Sequence, residues 1–292
     1  MKRTPITLLA CAAALPALAQ DVPADWDVHR NTRTNVVMAF SVFDNGLGIA
    51  VRCIDGAYEA LLSGLPPAGE DETRALGIAF GDDEISLQRW NVATNDTVAV
   101  GERPAPFARK LRQGGRLRII VPGGGGGGRN LRYELTLPAS STSIDETLNA
   151  CERPLVDPRD AELAALPDDG MPRAMEWVRV PVPDYPSRAR YGRGFAVVSC
   201  INNPDGSLRD CVVDSEHPHD GGFGDSTLRA VRRARVRNAD DADAPLAPAR
   251  VSFRARFVIE GYETPEDRQA YRERQNAARR RPAAGRDEAV PD

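Results

Sequence analysis

The sequence predicts an α+β chain in two parts. The first is an N-terminal β-sandwich or open barrel with one C-terminal helix. The second is a smaller module made of a short helix, a β-hairpin, a helix and a third antiparallel strand. Three observations carry this prediction. Short runs with a two-residue apolar period recur between 34 and 137, separated by turn signals. A hairpin signal, Pro204-Asp205-Gly206, lies between Cys200 and Cys211. A last run sets Val251, Phe253, Ala255, Phe257 and Ile259 on one face and Ser252, Arg254, Arg256 and Glu260 on the other, the pattern of a half-buried antiparallel strand.

The length of 292 residues allows one or two domains. The expected boundaries are a signal peptide over 1–19, a β-rich domain over 34–151, a linker over 152–182, a second domain over 183–261, and a polar helix and disordered tail over 262–292. The formal net charge is only -4, so neither nucleic acid nor an anionic membrane is an expected partner.

At the N-terminus, Lys2 and Arg3 precede the apolar stretch from Ile6 to Leu18, and Ala17-Leu18-Ala19 before Gln20 has the form of a signal cleavage site. An uncleaved anchor is the rival reading. The stretch is about 14 residues, short of the roughly 20 that a spanning helix needs. A third reading, lipidation of Cys11 after Leu8-Leu9-Ala10, leaves a still shorter apolar segment. Export and cleavage remove Cys11 and leave four cysteines, an even number suited to two disulfides in an oxidising compartment. Cys200 and Cys211 share a hairpin, so Cys53 pairs with Cys151 by elimination. The close C-x₂₋₄-C spacing of a zinc site is not in the sequence. No metal and no cofactor are expected, and no membrane-spanning segment after cleavage.

Residues 20–33 read as a mobile lead-in containing Trp26. Val36, Met38, Phe40 and Val42 alternate, Asp44-Asn45-Gly46 marks a turn, and Leu47, Ile49, Val51 and Cys53 alternate again. Further strands are expected at 57–62, 76–80, 85–92, 97–101, 116–121 and 131–137. Six glycines at 123–128 lack the Gly-Lys-Ser/Thr ending of a phosphate loop and read as a flexible hairpin tip. Ser143-Ile144-Asp145-Glu146 reads as a capping box opening a helix to Cys151. A disulfide from that helix to Cys53 would restrain the unfolded chain by roughly 4–5 kcal/mol in the entropy model. This region is similar in pattern to small secreted bacterial proteins of the invasion-associated locus B type, in which an early strand cysteine precedes a late helical one.

The stretch 152–182 is rich in proline and acids, with a helical turn at 158–166 and an extended lead-in from Trp177 to Val182. Pro186 suits the first turn of a short helix over 187–191, stopped by Gly192. Strands are expected at 195–201 and 207–214. A two-residue Asp205-Gly206 turn would make opposed positions sum to 411 and set Cys200 against Cys211. A three-residue loop would place them on opposite faces. Gly221, Gly222 and Gly224 surround Phe223 before a helix whose Leu228, Val231 and Ala234 face inward. Arg229, Arg232, Arg233, Arg235 and Arg237 then face outward at its C-terminal end.

The order of these elements resembles the C-terminal domain of TonB-family energy transducers. The matching residues are Tyr185-Pro186, Ala189, Gly194, Asp205-Gly206, Leu208, Val212-Val213, Leu228, Ala230-Val231 and Val251 to Phe257. Cys200, Cys211, the Glu216-x-Pro218 step and Gly222-Phe223-Gly224 are similar to a cysteine-bearing periplasmic branch. The resemblance implies a periplasmic protein-interaction module linked to TonB-dependent outer-membrane transport. Its partner would be a protein or extended peptide of the cell envelope, such as an outer-membrane receptor. The peptide would add to the edge formed by Val251, Phe253, Arg254, Arg256 and Phe257. The alternative expectation is a structural or ligand-binding envelope protein without energy transduction.

Catalysis is not expected. His217-Pro218-His219-Asp220 reads as a solvated turn, and Ser215 near His217 has no nucleophile-elbow motif around it. The third histidine, His29, stands alone.

Overall fold

The computed structural model describes residues 25–187 and 190–259. The expected signal peptide, Cys11, Ala189, Glu260 and the C-terminal helix and tail lie outside the described residues.

Period-two strands carry one apolar face each, and such faces need a common cover. Nine strands share one. They are β1 (Asp27–Asn31), β2 (Val36–Val42), β3 (Gly48–Ile54), β4 (Ala57–Ser63), β5 (Thr73–Phe80), β6 (Ser86–Val92), β7 (Ala99–Gly101), β8 (Gly115–Val121) and β9 (Leu131–Leu137). They form a single antiparallel sheet in the order β1-β2-β3-β4-β7-β6-β5-β8-β9. Two helices, α1 (Pro104–Leu111) and α2 (Thr142–Ala150), complete its core. Phe107 and Leu111 of α1 and Ile144 and Leu148 of α2 join Ile49, Val51, Leu76, Trp90 and Leu117 in one buried cluster.

This corrects the expected fold class. Among the described residues the protein is mostly β, built on one large antiparallel sheet with four helices, and not a simple α+β chain with one C-terminal helix. The sheet is continuous because β7 pairs with both β4 and β6 and so joins the two groups of strands, while α1 and α2 pack into the shared core. The lead-in is also structured: Trp26 is buried, and β1 pairs along β2 from Asp27↔Phe40 to Asn31↔Val36. The capping box does not form. Ser143 donates to the carbonyl of Trp26 at 2.9 Å, and Glu146 pairs with Arg30.

The stretch 152–182 contains α3 (Arg159–Ala165) and β10 (Met175–Arg179) and is packed on the rest. β11 (Arg193–Asn202), β12 (Leu208–His217) and β14 (Arg250–Val258) form a three-stranded antiparallel sheet in the order β12-β11-β14. α4 (Phe223–Val231) covers one face, and β13 (Arg235–Asn238) pairs with β10. Arg235 and Arg237 therefore stand on a strand rather than on the helix. Of the short helix expected at 187–191, the described residues are turn or irregular.

The hairpin corrects the expected turn. Asn202 opposes Leu208, and Asn203 N–H donates to Ser207 at 2.8 Å, so Pro204-Asp205-Gly206 is a three-residue loop. Register then shifts between Ser199↔Val212 and Ile201↔Arg209. Asp210, at φ 51°, occupies the extra position. This one-residue bulge returns both cysteines to the same face despite the longer loop. Cys200 and Cys211 are bonded at a Cα separation of 4.1 Å, and Cys53 is bonded to Cys151 at 5.4 Å.

Candidate functional site

The three-stranded sheet has two buried faces. Ala196, Val198, Cys200, Val251, Ala255 and Phe257 point to α4 and its flanks, where Phe223 and Val231 are fully buried. The residues between them point the other way, onto the nine-stranded sheet. Phe195 and Val197 pack on Val100, with Leu61 and Ala93 alongside. Around this small apolar patch runs a ring of charge. His217 Nδ1 lies 2.7 Å from Glu59 Oε1, and Arg52 Nη2 lies 2.5 Å from Glu59 Oε2. Arg254 pairs with Glu102, and Arg256 with Glu72. Ser215 Oγ donates to the Glu102 carbonyl at 2.8 Å. Arg159 lies 3.9 Å from Asp214, and the Arg153 guanidinium donates to the Val213 carbonyl at 3.3 Å.

Burial tunes these groups in opposite directions. The Glu59 side chain is 1% exposed, and burial alone would raise its carboxyl. The hydrogen bond from His217 and the attraction of His217 and Arg52 outweigh that and hold it below its ordinary 4.5. Asp214 goes the other way. Burial pushes its carboxyl up, against the pull of Arg159, Arg153 and Arg103. Burial also dominates Glu216, whose carboxyl is raised although it accepts the N–H groups of Phe223 and Gly224 at 2.9 and 3.0 Å, at the start of α4.

β14 is the second feature. Its odd-numbered residues bond toward β11, as Ile259 N–H to the Gly192 carbonyl at 2.8 Å continues to show. Even-numbered residues turn their backbone outward. At Ser252 that N–H is taken by the Gly170 carbonyl at 2.7 Å. Gly170 is at φ +77°, and an added Cβ would lie 2.2 Å from the Ser252 oxygen, so only glycine makes this approach. Beyond it, the outward N–H and C=O groups of Arg254, Arg256 and Val258 have no hydrogen-bond partner among the described residues.

Of the residues expected to bind a partner, Val251 is 1% exposed and Phe257 4%, both facing the α4 side. Phe253 is partly buried there against Trp177. Arg254 and Arg256 do not flank the edge as free cations. Both are turned into the junction, Arg254 held by Glu102 just after β7 and Arg256 by Glu72 just before β5. His217, expected in a solvated turn, is likewise a junction residue, and His219 Nε2 lies 3.8 Å from Asp55. Ser215 and His217 have separate partners and do not form a nucleophile–base pair. Among the described residues no cluster of His, Cys, Asp or Glu is arranged to hold a metal ion, and no helix is long and apolar enough to cross a membrane.

Reading the sequence alone missed Glu59, Glu72, Glu102 and Asp214. One signal was present: Glu59 interrupts the otherwise apolar run Ala57 to Leu62, where an unpaired carboxylate would be costly.

No family model matches this chain, and no curated protein matches it. Among solved structures, the chain is similar to the TonB C-terminal domain of Pseudomonas aeruginosa determined by solution NMR. The match covers 30% of this chain and 90% of that one, at 21% identity and a TM-score of 0.27.

Proposed function

We propose that this protein is a TonB-like interaction module of the cell envelope that receives an extended peptide along the outer edge of β14. The residues from Tyr185-Pro186 to Phe257 quoted above motivate the class. The observation that carries the mode is the run of outward backbone groups at Arg254, Arg256 and Val258. An edge that the described residues leave uncovered is a ready template for strand addition. The two disulfides support export to an oxidising compartment, the periplasm in this reading. The peptide would belong to an envelope protein, in the transport reading an outer-membrane receptor.

Val258→Pro tests this reading. Residue 258 points its N–H away from β11, so proline there blocks the edge and leaves the β11 ladder intact. The variant should keep the thermal midpoint of the parent and lose crosslinking to envelope proteins in intact cells. Unchanged crosslinking by a folded variant rejects the edge as the site.

A second reading, a structural or ligand-binding envelope protein without energy transduction, is favoured by one observation. Arg254 and Arg256 are engaged within the chain, so the junction is built as a fixed seam.

A further inference from the structure

A cavity of about 440 Å³ lies at the junction, beside the C-terminal end of β14. That is the size of a small-molecule site. The chain entering β11, from Arg190 to Gly194, forms one wall. Glu72 and the end of β6 with the residues after it, from Asn91 to Thr94, form the other. His217 and Arg256 close it. Arg193 and Arg256 line it together with one carboxylate, Glu72, which Arg256 already engages. Arg193 is exposed and has no ion-pair partner among the described residues. His217 is fixed through Nδ1 by a carboxylate that is itself held by Arg52, which leaves its Nε2 for the cavity. The apolar part of the lining is Val92, Ala93, Phe195, Pro218, Phe257 and Val258.

A cationic cavity with an apolar flank selects an anion that carries a small apolar body. We propose that this junction cavity binds a small organic carboxylate, received by the Arg193 fork with the His217 ring beside it and its apolar part against Val92 and Val258. Guanidinium suits this role because its planar donors match a carboxylate in pairs. Such a ligand would touch both modules at once. The site is separate from strand addition, since it uses side chains of the β11 entry and not the outward backbone of β14.

Titration calorimetry of the exported chain with benzoate as the probe tests it, with inorganic phosphate as the second arm. Benzoate should bind saturably at one site per chain. Phosphate should bind more weakly, because it gains nothing from Val92 and Val258. Arg193→Gln should weaken benzoate by at least about tenfold, the loss of a bidentate charge-assisted pair, with Arg193→Lys between the two. Arg232→Gln, at the far end of α4, should change nothing. Non-saturable heats, or benzoate affinity untouched in folded Arg193→Gln, overturn the proposal. Phosphate binding as tightly as benzoate overturns the part assigned to the apolar flank.

Discussion

The two sheets of this chain hold themselves together differently. The nine-stranded sheet has one continuous core, sealed by α1 and α2, and its disulfide joins residues 98 apart. The three-stranded sheet splits its apolar residues over two faces, and its disulfide joins strands that are already neighbours, only 11 residues apart. The large part is self-contained. The small one is completed on one face by α4 and on the other by the large sheet, through a patch of few apolar residues ringed by charge. Removing a crosslink should therefore matter most in the first, and removing a charge most at the seam.

The sharpest test is Cys53→Ser with Cys151→Ser. Loop-closure entropy puts its cost at about 4.7 kcal/mol, read as a lower urea midpoint. Next is Glu59→Gln, which leaves Arg52 and His217 facing a neutral amide in a buried seam. Breaking a buried pair costs about 3 kcal/mol at pH 7. Trp177 fluorescence, reporting the small module, should then fall out of step with that of Trp90. The pH dependence has a definite sign. Glu59 titrates lower folded than unfolded, so its stabilisation is whole above about pH 4.5 and is lost as pH falls through the depressed value. The gap between parent and variant should close below pH 4.5. A gap that persists there would mean that Glu59 acts through shape and not charge.

Cys200→Ser with Cys211→Ser should cost about 2.7 kcal/mol, the smaller closure term of the shorter loop. If this double variant lost more than the Cys53/Cys151 one, the contrast between the modules would be reversed. The smallest effect is expected at Arg256→Gln. Its side chain is 46% exposed and its partner Glu72 36%, so the pair should contribute under about 1 kcal/mol, fading further in high salt.

Much of the local structure was legible because its cause is local. The alternation at Val36 to Val42 and at Leu131 to Leu137 marks strands that are there. α1 escaped notice because Arg103-Pro104-Ala105-Pro106 looks like a loop. Prolines are tolerated in a first helical turn, and Phe107, Ala108 and Leu111 then bury its inner face. The hairpin misled for another reason. Cysteine pairing constrains the sum of a loop and a bulge, and the bulge at Asp210 cannot be seen in residue types. The seam was illegible because its partners are far apart along the chain: His217 and Glu59 are separated by 158 residues, and Arg254 and Glu102 by 152. Nor does alternation reveal that β7 inserts between β4 and β6.

The β11–β14 ladder has a mechanical side. It runs antiparallel without interruption through nine paired positions, from Arg193↔Val258 to Ile201↔Arg250. A tug delivered along the strand axis, as a tethered partner lying beside β14 would deliver it, loads all those rungs in shear at once. The same tug applied crosswise would unzip them one after another. Geometry alone thus makes this border tough in one direction and yielding in the other.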